Sequence, residues 1–290
     1  MSKDIKKNAK LIDVFLKRYF KNQKYSGLVL PMKYGTLIGG KKIRSTIIFN
    51  VAKIFKLKHK KVINTCAAVE CIHSYSLIHD DLPCMDNDSL RRGKAATHIK
   101  FGESTAILAG NSLLTLAFEI ITDKRYKIKP NIKIFLLKKL AEYAGHTGIA
   151  GGQFLDLSYE KRKIDLAKII SMQKKKTGKL FQFCCLAPAI ISGASKKTIK
   201  EMSAIGEELG FLFQISDDLL DVMVIKKNTG KPVKKDKRKG KSTLVKLLGY
   251  KKTLEFALRR KKMIMGKLKK YGNSSNELIR TVNFILDRSY

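Results

Sequence analysis

Two short acidic segments hold the residues best suited to chemistry in this chain. Seven of its 24 acidic residues lie in HDDLPCMDND and QISDDLLDV, which both follow apolar stretches: Asp80, Asp81, Asp86, Asp88, Asp217, Asp218 and Asp221. Like charges this close are unfavourable beside an apolar core unless cations neutralise them, because an unpaired carboxylate loses its hydration on burial. One such segment alone fits a solvated helix end equally well, but two together favour cation binding.

The second segment places its carboxylates on one helix face. Asp217 and Asp221 are four residues apart, so their side chains stack about one helical turn from each other, and Asp218 flanks them. A few carboxylate oxygens with room for water suit Mg²⁺, which completes its coordination with substrate phosphate oxygens.

In the first segment, the carboxylates can come together only if the chain bends. On a straight helix Asp80 and Asp86 would lie about 240° apart. Pro83 disfavours helical geometry at Leu82, so we expect the helix to end there and the loop to fold Asp86 back.

Basic residues accompany the acids. The segments GGKKIR, LRRG, KKTG and GKST supply Lys41, Lys42, Arg44, Arg91, Arg92, Lys176, Thr177 and Lys241. Acids that bind metal, together with bases that bind phosphate, predict a diphosphate substrate. GKST is not a P-loop, because no glycine lies five residues before Gly240 and no strand is predicted ahead of it. For any single lysine, a solvated helix face is the ordinary alternative.

The composition limits the possible classes. The chain has 290 residues, of which 44% are hydrophobic, and this excludes intrinsic disorder of the whole chain. Its 60 basic residues against 24 acidic ones give a net charge of +36, but only 11 of them are arginine. Scattered lysine favours a compositional bias, such as an AT-rich genome, over a nucleic-acid partner.

Cysteine usage and hydropathy bear on the compartment. The five cysteines are odd in number and show no CxxC spacing, which favours a reducing cytoplasm over a disulfide scaffold or a zinc site. The first ten residues do not have the pattern of a signal peptide, and no run of 18 apolar residues is present. We therefore expect a cytoplasmic protein without a membrane span.

Apolar spacing of three and four predicts helices nearly throughout. The clearest stripe contains Ile199, Met202, Ile205, Leu209, Leu212, Phe213 and Ser216. Similar spacing predicts helices over about 4–22, 42–56, 60–81, 104–122, 131–148, 163–184, 242–270 and 275–288, and no Asn-Gly hairpin signal interrupts them. Residues 226–241 read as a mobile loop. The sequence thus predicts one all-α domain, 1–290, a bundle of about ten or more helices.

In this order, the motifs resemble the trans-isoprenyl diphosphate synthases, in particular their bacterial short-chain branch. The resemblance runs from about residue 31 to residue 290 through seven blocks: GGKKIR, ECIHSYSLIHDDLPCMD, LRRG, GGQFLDL, KKTGKL, QISDDLLDV and GKST. The departures are Ser45 at a usual proline, Asn87 and Ser89 within the acidic run, and Lys234 at a usual glycine.

This resemblance implies an isoprenoid synthase fold around a central cavity, a homodimer, and three Mg²⁺ per active site, for which Mn²⁺ can substitute. An allylic diphosphate, dimethylallyl or geranyl, ionises, isopentenyl diphosphate attacks the cation through its double bond, and a proton leaves. Metal ions and cationic side chains stabilise the departing diphosphate. A pocket within the helices excludes water from the carbocation.

The resemblance also implies residue roles. It gives Asp80, Asp86 and Asp217 as metal ligands, with Asp81, Asp218 and Asp221 supporting. Arg91 and Lys176 would bind the allylic diphosphate, and Lys41, Arg44, His73 and Arg92 isopentenyl diphosphate, with Lys231 and Lys241 as further substrate contacts. Thr177 and Gln214 would stabilise the cation with neutral oxygens. Gln153 and Asp156 would buttress the site, or would have a purely structural role. Without the resemblance, His73 would read as a core histidine.

Product length is set by the pocket floor. Tyr75 lies five residues before Asp80, about 7.5 Å deeper along the helix, and Ser76 is small. By resemblance, this aromatic together with the insertion that contains Pro83 implies a C15 product, farnesyl diphosphate.

Three alternatives remain at this stage. A geranylgeranyl or longer-chain synthase would differ only at the floor. A terpene cyclase of related fold would lack the second aspartate motif. A basic helical nucleic-acid-binding protein would interleave arginine with aromatic residues in one patch and bind with steep salt dependence.

Overall fold

The computed structural model describes residues 3–24, 26–227 and 243–287. Its regular structure is almost entirely helical, so the predicted all-α class is confirmed. The chain divides into two compact units, Met1–Leu137 and Lys138–Tyr290. The assignment of 1–290 to one domain stays a prediction.

The first unit is built around a buried helix that ends in the first acidic segment. Its helices are α1 (Lys3–Lys21), α2 (Val29–Leu37), α3 (Ile43–Ile54), α4 (Ile63–Asp80), α5 (Thr97–Phe101) and α6 (Glu103–Thr122). A 3₁₀ turn, His59–Lys61, precedes α4, and a two-residue ribbon, β1 (Leu90–Arg91) and β2 (Lys94–Ala95), follows it. α4 is buried on nearly every side because α1, α2, α3 and α6 all pack against it.

Helix α6 is long and apolar enough to cross a membrane, by length and composition alone. One side of it, including Ala106, Ala109 and Leu113, is buried in the first unit, where α6 packs on α4. This is the packing of a core helix.

The second unit carries the later motifs. Its helices are α7 (Pro130–Ala144), which contains the boundary, α8 (Ile149–Ser158), α9 (Leu166–Gln173), α10 (Lys179–Ile191), α11 (Lys196–Lys227), α12 (Leu244–Leu248), α13 (Tyr250–Leu268) and α14 (Asn276–Asp287). A π-helical turn, Lys174–Gly178, joins α9 to α10, and a 3₁₀ segment, Lys269–Ser275, joins α13 to α14. The predicted stripe on α11 lies in the core, where Met202, Ile205, Leu209 and Leu212 have no exposed surface.

Several predicted helix limits are wrong, for local reasons. The helix predicted over 131–148 ends at Ala144, and α8 begins separately at Ile149. The helix predicted over 242–270 is broken at Gly249, whose φ of 78° is left-handed. The sequence did not predict the β1–β2 ribbon, because its turn is Arg92-Gly93 and not Asn-Gly. Both turn residues have positive φ.

Glycine lets α10 and α11 approach closely in the second unit. A Cβ on Gly206 would lie 2.6 Å from the Phe181 carbonyl oxygen and 2.7 Å from the Gln182 Cα. A Cβ on Gly210 would lie 2.7 Å from the Gly178 Cα, at the end of the π-helical turn. These contacts are with backbone, so they cannot be relieved by a side-chain rotation.

We therefore expect Gly206→Ala to lower the free energy of unfolding by about 1–3 kcal/mol, because it forces α10 and α11 apart. The control is Gly266→Ala in α13, where no atom lies within 4 Å of the added Cβ. That variant should gain about 0.5–1 kcal/mol, because alanine replaces glycine within a helix. Urea unfolding followed by circular dichroism measures both, and an equal response of the two variants would contradict the packing argument.

Candidate active site

The first acidic segment turns back on the end of α4. The helix stops at Asp80, two residues before the predicted end at Leu82. The backbone N–H of Asp86 donates to the Asp80 carbonyl at 2.8 Å, and that of Asp88 donates to the Asp81 carbonyl at 3.1 Å. The predicted return of Asp86 is therefore confirmed. The carboxylate-bearing residues Asp80 and Asp86 are both half-buried.

Asp81 differs from Asp80 and Asp86, because its carboxylate is buried and accepts hydrogen bonds from Arg91. Its exposure is 2%, and Arg91 Nε lies 3.0 and 3.1 Å from its two carboxylate oxygens, with Nη2 in contact as well. Burial raises the pKa of Asp81, and the hydrogen bond and charge of Arg91 oppose that rise. Asp81 thus orients Arg91, which also lies 3.7 Å from Asp88.

The turn of the ribbon directs the Arg92 side chain toward Gly39 and Gly40. Its Nη1 donates to the Gly39 carbonyl oxygen, and a Cβ on Gly40 would lie 2.5 Å from the guanidinium carbon. Gly40 has a φ of 110°. In GGKKIR, Gly40 therefore makes room for the Arg92 guanidinium, and Gly39 supplies the carbonyl oxygen that accepts its hydrogen bond.

His73 lies among cations of the first unit. Burial, and then the positive charges of Arg44, Arg92 and Lys42, hold the pKa of His73 well below its ordinary value. The ring is neutral at pH 7 as a result. Arg44 is half-buried, and Lys41 is exposed.

A buried acid fixes the start of α3 beside this group. Ser45 donates to Glu70 Oε1 from its hydroxyl at 2.7 Å and from its backbone N–H at 3.3 Å. Lys42 Nζ donates to the Thr36 carbonyl at 2.6 Å and lies 3.7 Å from Glu70 Oε2. Lys42 is therefore a structural cation, and sequence reasoning missed Glu70.

In the second unit, α11 presents the other acidic segment. Asp217 is half-buried and Asp221 is exposed, one turn along the helix. Asp218 is buried, with 4% exposure, and both of its carboxylate oxygens accept amide hydrogen bonds. Gln173 Nε2 donates at 2.9 Å and Gln214 Nε2 at 3.1 Å.

The π-helical turn holds Lys176 and Thr177. Lys176 Nζ donates to Asp156 Oδ2 at 2.6 Å, and Thr177 Oγ1 lies 2.8 Å from Gln214 Oε1. Gly152 on α8 permits this, because a Cβ there would overlap the Lys176 backbone nitrogen. Asp156 thus accepts a hydrogen bond from Lys176, and its role as a buttress of the site stays a prediction. The buried Gln153 amide has no hydrogen-bond partner among the described residues.

The predicted floor residues Tyr75 and Ser76 lie in the last turns of α4. Tyr75 is 9% exposed, and its ring meets that of His79 edge to face at 5.8 Å. His79 Nε2 lies 3.1 Å from the Ile107 carbonyl oxygen, in space left by Gly110. Lys231 and Lys241 lie outside the described residues, so their predicted contacts stay predictions.

The acids fit Mg²⁺ that arrives with phosphate, and not a metal held by protein alone. Among the described residues, no three His, Cys, Asp or Glu side chains converge on one metal position. The accessible carboxylates come in pairs, Asp80 with Asp86 and Asp217 with Asp221. Mg²⁺ commonly takes one or two carboxylates and completes its octahedron with water and phosphate oxygens, so these all-oxygen pairs suit it.

Sequence reasoning also missed Gln173, which no motif marks. Its only signal is a polar side chain in the buried stripe formed by Ile169, Met172 and Thr177.

Comparisons with known proteins place these features in a family. The family model for polyprenyl synthetase matches residues 26–281. The chain is 38% identical over 250 residues to the farnesyl diphosphate synthase of Geobacillus stearothermophilus, covering 84% of each chain. It is 37% identical to geranylgeranyl pyrophosphate synthase 4 of Arabidopsis thaliana over 89% of this chain and 70% of that one. A Helicobacter pylori geranyltransferase, solved with magnesium and isoprenyl diphosphate, has a TM-score of 0.81 and 28% identity over 99% of this chain and 98% of that one.

The His73 environment gives a pH prediction. Because its pKa is lowered in the folded protein, the unfolded chain binds a proton first as the pH falls below the ordinary value of 6.5. This group should therefore add stability above pH 6.5 that is lost as the pH falls toward the folded pKa. We expect His73→Asn to lose less stability than the parent between about pH 7 and pH 5.

Urea unfolding at several pH values measures this difference in slope. The control is His146→Asn, which removes an exposed imidazole. A slope for His73→Asn equal to that of the parent would contradict the argument.

Proposed function

Since this chain belongs to the polyprenyl synthetase family, we propose that it is a prenyltransferase that makes (2E,6E)-farnesyl diphosphate. It joins isopentenyl diphosphate head-to-tail to dimethylallyl and then to geranyl diphosphate, releasing diphosphate each time. The predicted family and enzyme class, a transferase of prenyl groups, are confirmed by the relatives described above.

One structural observation carries the proposal: each acidic segment separates its carboxylates into two kinds. Asp81 and Asp218 are buried and satisfied by the chain itself, through Arg91 and through two glutamines. Their neighbours Asp80 and Asp217 are more accessible. A segment built only as a solvated helix end would not need an internal partner for one buried carboxylate.

We propose Asp80, Asp86, Asp217 and Asp221 as Mg²⁺ ligands, with Asp81 and Asp218 as supports that hold the segments in shape. When bound, Mg²⁺ stabilises the negative charge that develops on the departing diphosphate. Three ions per site, and substitution by Mn²⁺, belong to the same proposal, which is supported by the magnesium in the Helicobacter pylori geranyltransferase.

The cations of the chain bind and orient the two diphosphates. Arg91, held by Asp81, and Lys176, held by Asp156, are proposed to contact the allylic diphosphate. Because each is already hydrogen-bonded, little side-chain freedom is lost on binding. Lys41, Arg44, His73 and Arg92 are proposed for isopentenyl diphosphate, with Lys231 and Lys241 as further contacts.

The neutral oxygens of Thr177 and Gln214, near the π-helical turn, stabilise the carbocation. When the allylic C–O bond breaks, the electron pair leaves with diphosphate and a cation remains. Thr177 and Gln214 offer oxygen dipoles that stabilise it, as an oxyanion hole does in the opposite sense. The double bond of isopentenyl diphosphate then forms the new C–C bond, and a proton is lost.

The alternative product is geranylgeranyl diphosphate or longer, since one relative carries that name. The C15 assignment rests on Tyr75 at the floor. A homodimer is proposed from the family resemblance, and a cytoplasmic location from the cysteine usage of the sequence.

The direct test incubates the pure protein with Mg²⁺, labelled isopentenyl diphosphate and either dimethylallyl or geranyl diphosphate, and then sizes the products. We expect C15 as the main product from both starters. Products no longer than the starter would overturn the proposed transferase, and C20 as the main product would replace it with the alternative.

Asp217→Ala should lower turnover by about 10²-fold or more at saturating Mg²⁺ while the fold is kept. The variant loses a ligand that stabilises leaving-group charge, and it relieves repulsion with Asp221 in the metal-free protein. Glu255→Ala, which removes an exposed carboxylate of the same unit, is the control and should keep the parent rate. Turnover of Asp217→Ala within about threefold of the parent would contradict the assignment of Asp217 as a Mg²⁺ ligand.

Tyr75→Ala should lengthen the product from C15 toward C20 and beyond, because it opens space one to two turns below Asp80. Turnover should survive, whereas the unfolding free energy should fall by about 3–5 kcal/mol. Tyr75→Phe keeps the ring and should keep C15. Product sizing on folded enzyme decides the matter, and C15 as the sole product of Tyr75→Ala would make this residue ordinary core.

A further inference from the structure

Four polar side chains of the second unit form one continuous hydrogen-bonded chain. Gln173 Nε2 donates to Asp218 Oδ2 at 2.9 Å, and Gln214 Nε2 donates to Asp218 Oδ1 at 3.1 Å. Gln214 Oε1 then lies 2.8 Å from Thr177 Oγ1. Gln173, Asp218 and Thr177 are buried, with exposures of 3%, 4% and 6%.

We propose that Gln173 is a positioning residue for prenyl transfer. It fixes Asp218, which through Gln214 fixes the direction of the Thr177 hydroxyl. This inference rests on the proposed function, since it concerns how Thr177 meets the allylic cation.

The chemistry of the groups sets the direction of every bond. Both carboxylate oxygens of Asp218 accept amide hydrogen bonds, so Gln214 turns its NH₂ group toward Asp218. Its carbonyl oxygen therefore faces Thr177. An amide oxygen only accepts, so the Thr177 hydroxyl must donate its proton to Gln214. The lone pairs of Thr177 Oγ1 are then directed away from that bond and are available to a cation.

The opposite direction would be harmful to the proposed reaction. If Gln214 presented its NH₂ group to Thr177, the hydroxyl proton would be released to point elsewhere. A hydroxyl that can turn its positive end toward the developing cation stabilises it less than one whose oxygen is preset.

Gln173 prevents that reversal by holding the second oxygen of Asp218. Loss of this donor would remove a contact that restrains rotation of the carboxylate about its Cβ–Cγ bond, and would loosen its contact with Gln214. A second donor at 2.9 Å defines the plane of the carboxylate.

The position of Gln173 suits this role. It is the last residue of α9 and immediately precedes the π-helical turn that contains Thr177. Its bond to Asp218 therefore ties the entrance of that turn to α11, while the Thr177–Gln214 bond ties the turn itself. Its own Oε1 is buried and has no hydrogen-bond partner in the part of the chain that the structure describes. A buried acceptor without a partner is unfavourable for stability, as expected of a side chain kept for its donor.

The test compares Gln173→Met, which keeps the length of the side chain and removes the donor, with the parent. We expect kcat to fall about tenfold, the value of one hydrogen bond of about 1.4 kcal/mol. KM for both diphosphates should stay within about twofold, because Gln173 contacts neither in this proposal. Gln173→His, which keeps an N–H donor, should stay within about threefold of the parent kcat.

Thr177→Val decides whether Gln173 acts through the hydroxyl. In that background, Gln173→Met should cause no further loss of kcat, whereas a general packing defect would reduce kcat equally in both backgrounds. A parent-like kcat for Gln173→Met would overturn the inference, and so would an additive loss in the double variant.

Folding is checked by circular dichroism. If Gln173→Met is unfolded, Gln173→His in the two backgrounds decides instead. A folded His variant that falls as far as Thr177→Val overturns the inference, and one that keeps the parent rate supports it. The parent is assayed alongside. If it makes no prenyl product, the proposed function fails; if it is active and Gln173→Met matches it, only this inference fails.

Discussion

A carboxylate can be buried in this protein only where the chain supplies its partner in advance. Among the residues that the structure describes, four acids are nearly inaccessible: Glu70, Asp81, Asp156 and Asp218, with exposures of 2%, 2%, 7% and 4%. Each is met within its own unit by donors: Ser45 and Lys42, Arg91, Lys176, and the two glutamines. Without these donors, desolvation would protonate the acids or unfold their surroundings. The proposed metal ligands do not carry this constraint, because they are more accessible.

This constraint explains why the same residues recur in structural and functional roles. Arg91 and Lys176 neutralise buried acids and are also the cations proposed for the allylic diphosphate. A cation with a fixed carboxylate neighbour keeps its place but retains less net positive charge for the substrate. Diphosphate that arrives with divalent metal carries less negative charge, so a partly neutralised arginine or lysine is sufficient to bind it.

The helical pattern was predictable wherever one period continued. The apolar stripe of α11 and the end of α4 before Pro83 follow from spacing and from the proline itself. The segment predicted as one helix over 163–184 is instead α9, a π-helical turn and the start of α10. The spacing of apolar residues does not reveal a change from i→i+4 to i→i+5 backbone hydrogen bonds. What permits the wider turn is Gly152 on another helix, so the cause is not in the segment's own sequence.

In the candidate site, too, some residues could be predicted from the sequence and others could not. Charged residues at motif positions could be named from the sequence, because few side chains suit metal or phosphate. Their partners could not, because a glutamine such as Gln173 has no motif, and its meaning depends on Asp218, 45 residues away.

Ser45 shows how a departure from a family pattern can be understood only in three dimensions. It stands where the resembling family usually has proline, which has no backbone N–H and no hydroxyl. Here both donors of Ser45 reach Glu70 Oε1, while Lys42 approaches Oε2. The exchange therefore adds donors to a buried carboxylate and strengthens the link between α3 and α4. Because Arg44 lies in the first turn of α3, that link also holds one of the residues proposed for isopentenyl diphosphate against the helix that ends in Asp80.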